Sequence, residues 1–170
     1  HKMGQRASLV GELEFNDVRL PADAMLGPEN RGFHIMMSVL EKGRVGIGSL
    51  ATGIMQGALD ASLEYAKVRK QFGQAIGEFQ GVQWMLADMA KDITAARLLV
   101  QNAATRMDAG ISATVESSMA KCFASDAAVQ NTCNAVQIFG GMGLMEDLPV
   151  ERLWRDARLD RIWDGTSEIQ

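Results

Sequence analysis

From Arg31 onward the apolar residues recur at three- and four-residue steps, and almost nothing in that stretch alternates at the strand period. This is the signature of amphipathic helices, and sustained for so long it commits most of the chain to helix packing. In the first segment, Gly32 to about Arg69, the stripe is Ile47, Leu50, Ile54, Ala58, Ala61 and Tyr65, with a break expected near Lys42-Gly43. Gly46, Gly48, Gly53 and Gly57 lie on the same segment. Each lowers helix propensity by roughly 1 kcal/mol against Ala, so they imply a very close neighbour or room left for a ligand.

A second helix is expected over about 79–109, with Val82, Met85, Met89, Ile93, Ala96, Val100, Ala103 and Met107 on one face and Gly110 as its stop. Ser112 is placed to cap a third helix, about 113–139, whose stripe reads Met119, Cys122, Val129, Cys133 and Val136, interrupted by Asp126. Gly140-Gly141-Met142-Gly143 ends it, and Pro149 opens a shorter helix to about Leu159. Long antiparallel helices joined by short connections make a mainly α protein, an up-and-down four-helix bundle.

The N-terminal stretch differs. Glu12-Leu13-Glu14-Phe15 alternates at the strand period within residues 7–20, so one or two strands are expected there. They lack partner strands in this chain, which makes residues 1–28 the expected end of a preceding β domain and 29–170 the helical domain. Both edges read as cut, because His1-Lys2-Met3 carries no targeting or capping signal and Gln170 falls where a further helix begins. The chain is expected to be a fragment of a longer one.

Composition narrows the function classes. A net charge of −4 with interspersed signs leaves no footprint for nucleic acid. The run from Val45 to Leu59 is too short to span a bilayer. His1 and His34 are the only histidines, which nearly excludes a zinc site or a His-based triad, and no metal ligand is assigned. Cys122 and Cys133 form neither a CxxC nor a disulfide framework, as expected of a reducing compartment.

Three motifs remain. Arg152, Arg155, Arg158 and Arg161 recur every three residues among acids, the pattern of a salt-bridged helix face. Gly140-Gly141-Met142-Gly143 follows a helix rather than a strand, so it is not a dinucleotide fingerprint. In Trp163-Asp164-Gly165-Thr166-Ser167-Glu168 a carboxylate precedes a glycine, two hydroxyls and a second acid. That pattern serves either as a capped loop or as a general base beside backbone N–H groups that face an anion or cofactor.

Four blocks, KMGQRAS…GELEFNDVRLPADAMLGPENRGF, RKQFGQAIGEFQGVQWMLADMA, AVQIFGGMGLMEDLPVERLWRDARL and RIWDGTSEIQ, stand in the order and spacing of the C-terminal half of the acyl-CoA dehydrogenase family, which the chain resembles over almost its whole length. The resemblance implies an FAD enzyme that dehydrogenates an acyl-CoA thioester. It implies Asp164 as catalytic base, and FAD contacts from Arg69, Gln71, Phe72, Gln137, Gly140, Gly141, Thr166 and Glu168. It implies Glu41 and Arg44 at the CoA moiety and Gly165 at the thioester end. A homodimer or homotetramer sharing flavins across subunits is implied, with electron-transfer flavoprotein as electron acceptor, in the cytoplasm of a bacterium or the mitochondrial matrix of a eukaryote. One departure stands out: the family's usual base is Glu, and Asp164 is shorter by one methylene. Branches that place the base on the long helix would need it at Gly43. Nitroalkane oxidases carry Asp at the 164 position and define an alternative, and a helical assembly module without activity defines another.

Overall fold

The computed structural model describes residues 1–170. Four helices carry the fold: α1 (Gly32–Val68), α2 (Gln80–Asp108), α3 (Thr114–Phe139) and α4 (Pro149–Asp160). A small antiparallel hairpin, β1 (Lys70–Gln71) and β2 (Gln74–Ala75), links α1 to α2. This is the expected helical bundle, with boundaries within two residues of those read from the sequence. No helix is long and apolar enough to cross a membrane.

The most extensive contact is between α1 and α3, and small side chains make it. On α3 the buried face runs through Ser117, Ala120, Ala124, Ala128, Thr132 and Ala135. The larger stripe read from the sequence lies elsewhere: Met119 is 57% exposed, Cys133 is exposed, and Cys122, Val129 and Val136 are half-buried. The reason is geometric. Helix axes approach closely only where side chains are short, and the Ala/Ser/Thr series also repeats at three- and four-residue steps. Buried hydroxyls are absorbed locally, as Thr52 donates to the Gly48 carbonyl at 2.8 Å and Thr132 to the Ala128 carbonyl at 2.7 Å. On α1 the buried face likewise shifts from Ile47, Leu50 and Ile54 to Gly48, Ala51, Met55, Ala58, Leu59 and Ser62. The α2 stripe is buried as expected at Met89, Ile93, Ala96, Val100 and Ala103. These residues join Met55, Phe139, Val150 and Ala157 in the core.

Of Gly46, Gly48, Gly53 and Gly57 only Gly48 meets a close neighbour, since a Cβ there would lie 3.0 Å from Val100 Cγ2 and 3.5 Å from the Ala120 carbonyl oxygen. Gly46 and Gly53 face open space. The helix does not break at Lys42-Gly43 but runs for 37 residues. A single glycine costs only about 1 kcal/mol, which packing along such a length offsets.

Two further expectations change. Residues 7–20 form no ladder, and Leu9, Leu13 and Phe15 stand 96%, 86% and 73% exposed. A strand without a partner leaves its backbone groups to water. Ser112 does not cap α3. Instead Glu41 reaches over from α1 and accepts from the Ala113 N–H at 3.1 Å and the Thr114 hydroxyl at 3.0 Å. The salt-bridged face of α4 holds in part: Arg155 grips Glu151 through two hydrogen bonds, at 2.8 and 3.0 Å. Arg155 also donates to the Met3 carbonyl, which fastens the N-terminal stretch to the bundle.

Candidate active site

The residues singled out from the sequence gather at two places, near opposite ends of α1. Gly43, near one, and Arg69, at the other, are separated by on the order of 39 Å at the helical rise.

At the far end, Arg69, Gln71, Gly140 and Gly141 line one pocket of about 340 Å³ with Tyr65 and Phe139. The Tyr65 and Phe139 rings stack at 4.1 Å, which ties the end of α1 to the end of α3. Gly140 closes α3 at φ +59° and ψ −139°, a conformation all but reserved for glycine. A Cβ on Gly140 or Gly141 would touch nothing, so the backbone there is open to a ligand. The Arg69 guanidinium is exposed and paired with no carboxylate of this chain. The hairpin turns at Phe72-Gly73 with φ +52° and +86°, the I′ geometry that matches strand twist. A bulky aromatic in the left-handed region is uncommon. Phe72 is held there 94% exposed, with an edge contact to Phe79 at 6.2 Å. Gln137 is exposed on the last turn of α3 and does not line the pocket.

At the near end the chain leaves α4 and bends back over α1. Asp164 has φ +52° and Gly165 φ +99°. This double left-handed turn lays the Asp164 carboxylate against Gly43, where any Cβ would overlap it. The turn is anchored from inside. Lys121 of α3, fully buried, donates to the Gly165 carbonyl at 2.6 Å. Gln170 donates to the Asp164 and Gly165 carbonyls at 3.2 and 3.0 Å. Ser167 donates from its N–H to the Arg161 carbonyl and from its hydroxyl to Asp126, at 3.0 and 3.1 Å. No backbone carbonyl accepts the N–H groups of Asp164, Gly165 or Thr166. They have no hydrogen-bond partner within the chain. Thr166 is half-buried, and Glu168 is exposed. The Glu168 carboxyl is held below its usual range by its own backbone N–H and the Thr166 hydroxyl.

Beneath the turn lie two buried ionisable groups, Lys121 and Asp160. Burial pushes the Lys121 ammonium below its usual range, against the opposing pull of Asp160, Asp126 and Asp164. Asp160 is fully buried, and burial raises its carboxyl to about 7 although Trp163, Lys121 and Gln5 oppose the rise. Its Oδ1 accepts from Trp163 Nε1 and Gln5 Nε2, both at 3.1 Å, while Oδ2 has no partner. Neither residue stood out from the sequence. The signal available was position, since Lys121 falls on the small-residue repeat of α3 and therefore faces inward.

Glu41 and Arg44 both engage the bundle. Glu41 caps α3, and the buried Arg44 donates to Ser118 at 3.4 Å, beside a groove of about 980 Å³ between α2, α3 and the closing loop. Asp164 and Gly165 thus share one site with Thr166, whereas the pocket at Arg69 is separate.

The chain is similar to known proteins over almost its whole length. The family model described as "Acyl-CoA dehydrogenase, C-terminal domain" matches residues 30–170. The short-chain specific acyl-CoA dehydrogenase of Clostridium acetobutylicum is 47% identical over 99% of this chain and 45% of its own length. The caffeyl-CoA reductase-Etf complex subunit CarC of Acetobacterium woodii is 45% identical over 100% of this chain and 45% of its own. The solved butyryl-CoA dehydrogenase of Megasphaera elsdenii superposes with a TM-score of 0.98 at 46% identity, covering 99% of this chain and 44% of that one. The chain therefore spans a little under half the length of these relatives. It belongs to the acyl-CoA dehydrogenase family, matching that family's C-terminal domain from residue 30 to residue 170.

Proposed function

We propose that the protein is an FAD-dependent acyl-CoA dehydrogenase in which Asp164 removes the α-proton of the thioester. The observation that carries this is the left-handed turn at Asp164-Gly165, which sets a carboxylate over a bare Gly43 beside three unclaimed N–H groups. A thioester α-proton is too weakly acidic to pass to a carboxylate in water. It becomes removable when donors hold the developing oxygen charge in a dry site, and the Asp164 N–H is such a donor. The proton goes to Asp164, and the electron pair left on the α-carbon forms the double bond as the β-hydrogen departs with its own pair. When bound, FAD supplies the acceptor for that hydride. The shortness of Asp against the usual Glu is matched by the absence of any side chain at Gly43, which lets the loop lie directly on α1.

Arg69, Gln71, Phe72, Gly140 and Gly141, with Gln137 close by, suit the polar half of FAD. The open glycines admit a close backbone approach, and the free guanidinium suits a pyrophosphate. A separation on the order of 39 Å exceeds the diameter of a small domain, so a flavin gripped there serves the Asp164 of a second copy. Thr166 and Glu168 then meet the flavin of their own protomer. This is the arrangement of a homodimer or homotetramer. Electron-transfer flavoprotein is the electron acceptor in this reading, supported by the Etf complex to which CarC belongs. The cytoplasm of a bacterium or the mitochondrial matrix of a eukaryote suits this chemistry, and residues 1–28 complete a β domain beside the bundle.

Asp in place of Glu favours one second reading, a nitroalkane oxidase. Anaerobic titration of the flavin-loaded protein separates the two. Bleaching of the flavin by an acyl-CoA is the expected result. Bleaching by a nitroalkane alone, with peroxide formed in air, overturns it.

A further inference from the structure

The closing turn is held by a residue that the proposed chemistry does not use. Lys121 is fully buried in the middle of α3, and its only hydrogen bond runs at 2.6 Å to the Gly165 carbonyl. A buried ammonium is expensive to desolvate and is kept where it does something an apolar side chain cannot. Here no carboxylate lies within ion-pair distance of it. Buried Asp160 is held instead by Trp163 and Gln5, with one oxygen unpartnered. The ammonium is thus spent on one peptide carbonyl, that of the residue following the catalytic carboxylate.

That carbonyl is the point of greatest leverage on the turn. Asp164 stands at φ +52°, a conformation uncommon for a residue with a side chain. Such backbone persists only when neighbours over-determine it. The other clamp on the same carbonyl, Gln170, comes from the half-buried loop itself and moves with it. Ser167 reaches Asp126 of the same helix two residues further on, so the Asp164-Gly165 peptide itself is tied to a rigid helix by Lys121 alone. We propose, resting on the reading of Asp164 as base, that Lys121 is a positioning residue: its buried ammonium fixes the left-handed Asp164-Gly165 turn and so sets where the carboxylate meets the substrate α-carbon.

Rate and stability part company at Lys121. Lys121→Met fills the same space without a buried charge, so the bundle keeps or raises its melting temperature. Loosening the turn by about 1 Å lowers the rate of anaerobic flavin reduction by roughly a hundredfold, while the Kd for acyl-CoA and the flavin content stay unchanged. Lys121→Gln retains a donor toward the Gly165 carbonyl and recovers part of the loss. Hydrogen exchange of residues 163–170 in the flavin-loaded protein, faster in Lys121→Met than in Lys121→Gln, reads the turn without reference to the reaction. Reduction by Lys121→Met at the unmodified rate overturns the proposal, as do equal losses in the two variants, unchanged exchange, or a Met variant that fails to fold. If the unmodified protein is not bleached by acyl-CoA but exchange still responds to Lys121, the reading of the substrate fails and the positioning role stands.

Discussion

The two ends of α1 are built on opposite plans. At the Asp164 end the backbone is bent into the left-handed region, clamped by Lys121, Gln170 and Ser167, and seated over buried Lys121 and Asp160. At the Arg69 end the cation is exposed, the glycines face open space and the aromatic at the hairpin tip is almost fully solvated. One end is finished within the chain. The other is open, with a cation that no carboxylate of the chain pairs and, in the proposed reading, half of a flavin site. Preorganisation is worth most where bonds change, because misplacement on the order of 1 Å is felt in the rate. A site that only binds can wait for its ligand to order it, at the expense of some affinity.

Three substitutions sharpen that contrast. The largest effect is expected for Asp164→Asn, which keeps the shape of the turn and removes the base. Flavin reduction should be abolished with flavin still bound, as read by stopped-flow absorbance under anaerobic conditions; reduction at the unmodified rate would remove Asp164 from its role. Next comes the far end. Arg69→Ala removes a charge-assisted contact worth about 1.5–3 kcal/mol, so the Kd for FAD should weaken by roughly ten- to a hundredfold. Equilibrium dialysis measures this, and an unchanged melting temperature of the flavin-free protein would show that the residue binds rather than builds.

The smallest effect is one of pH. Asp160 holds its proton up to about 7 in the folded protein, against an ordinary 3.8 when unfolded. Between these values the folded state binds more protons, so stability is fully present below the lower value and declines as pH rises through the upper one. Asp160→Asn should flatten that decline. Melting temperatures from pH 4 to 8 should converge between the two proteins at the acid end and favour the variant at the alkaline end. Parallel curves would place the titration elsewhere.

Much of this is legible in the amino-acid sequence. Gly110 and Gly140 end helices as expected, with φ of +70° and +59°, and Pro149 opens α4, because stops and starts are set by local backbone preference. Arg69, Gln71, Gly140 and Gly141, far apart in the chain, do share a pocket. The face that each helix buries was less legible. Met119 carries a larger apolar side chain than Ala120 or Ala124, yet the alanines are inside. Side-chain size rather than greasiness decides where two helices can touch. For the same reason Lys121, flanked by small residues on the inner face, did not stand out in the sequence.

The sequence by itself determined how many helices there are and where they begin and end, because these depend on the backbone preferences and spacing of near neighbours. Only the tertiary structure decided that Asp164 lies on Gly43, that Lys121 holds the turn from beneath and that Glu41 caps a helix other than its own. Each of those contacts joins residues more than forty positions apart. Its existence depends on how closely α1 and α3 approach, a distance that no local pattern encodes.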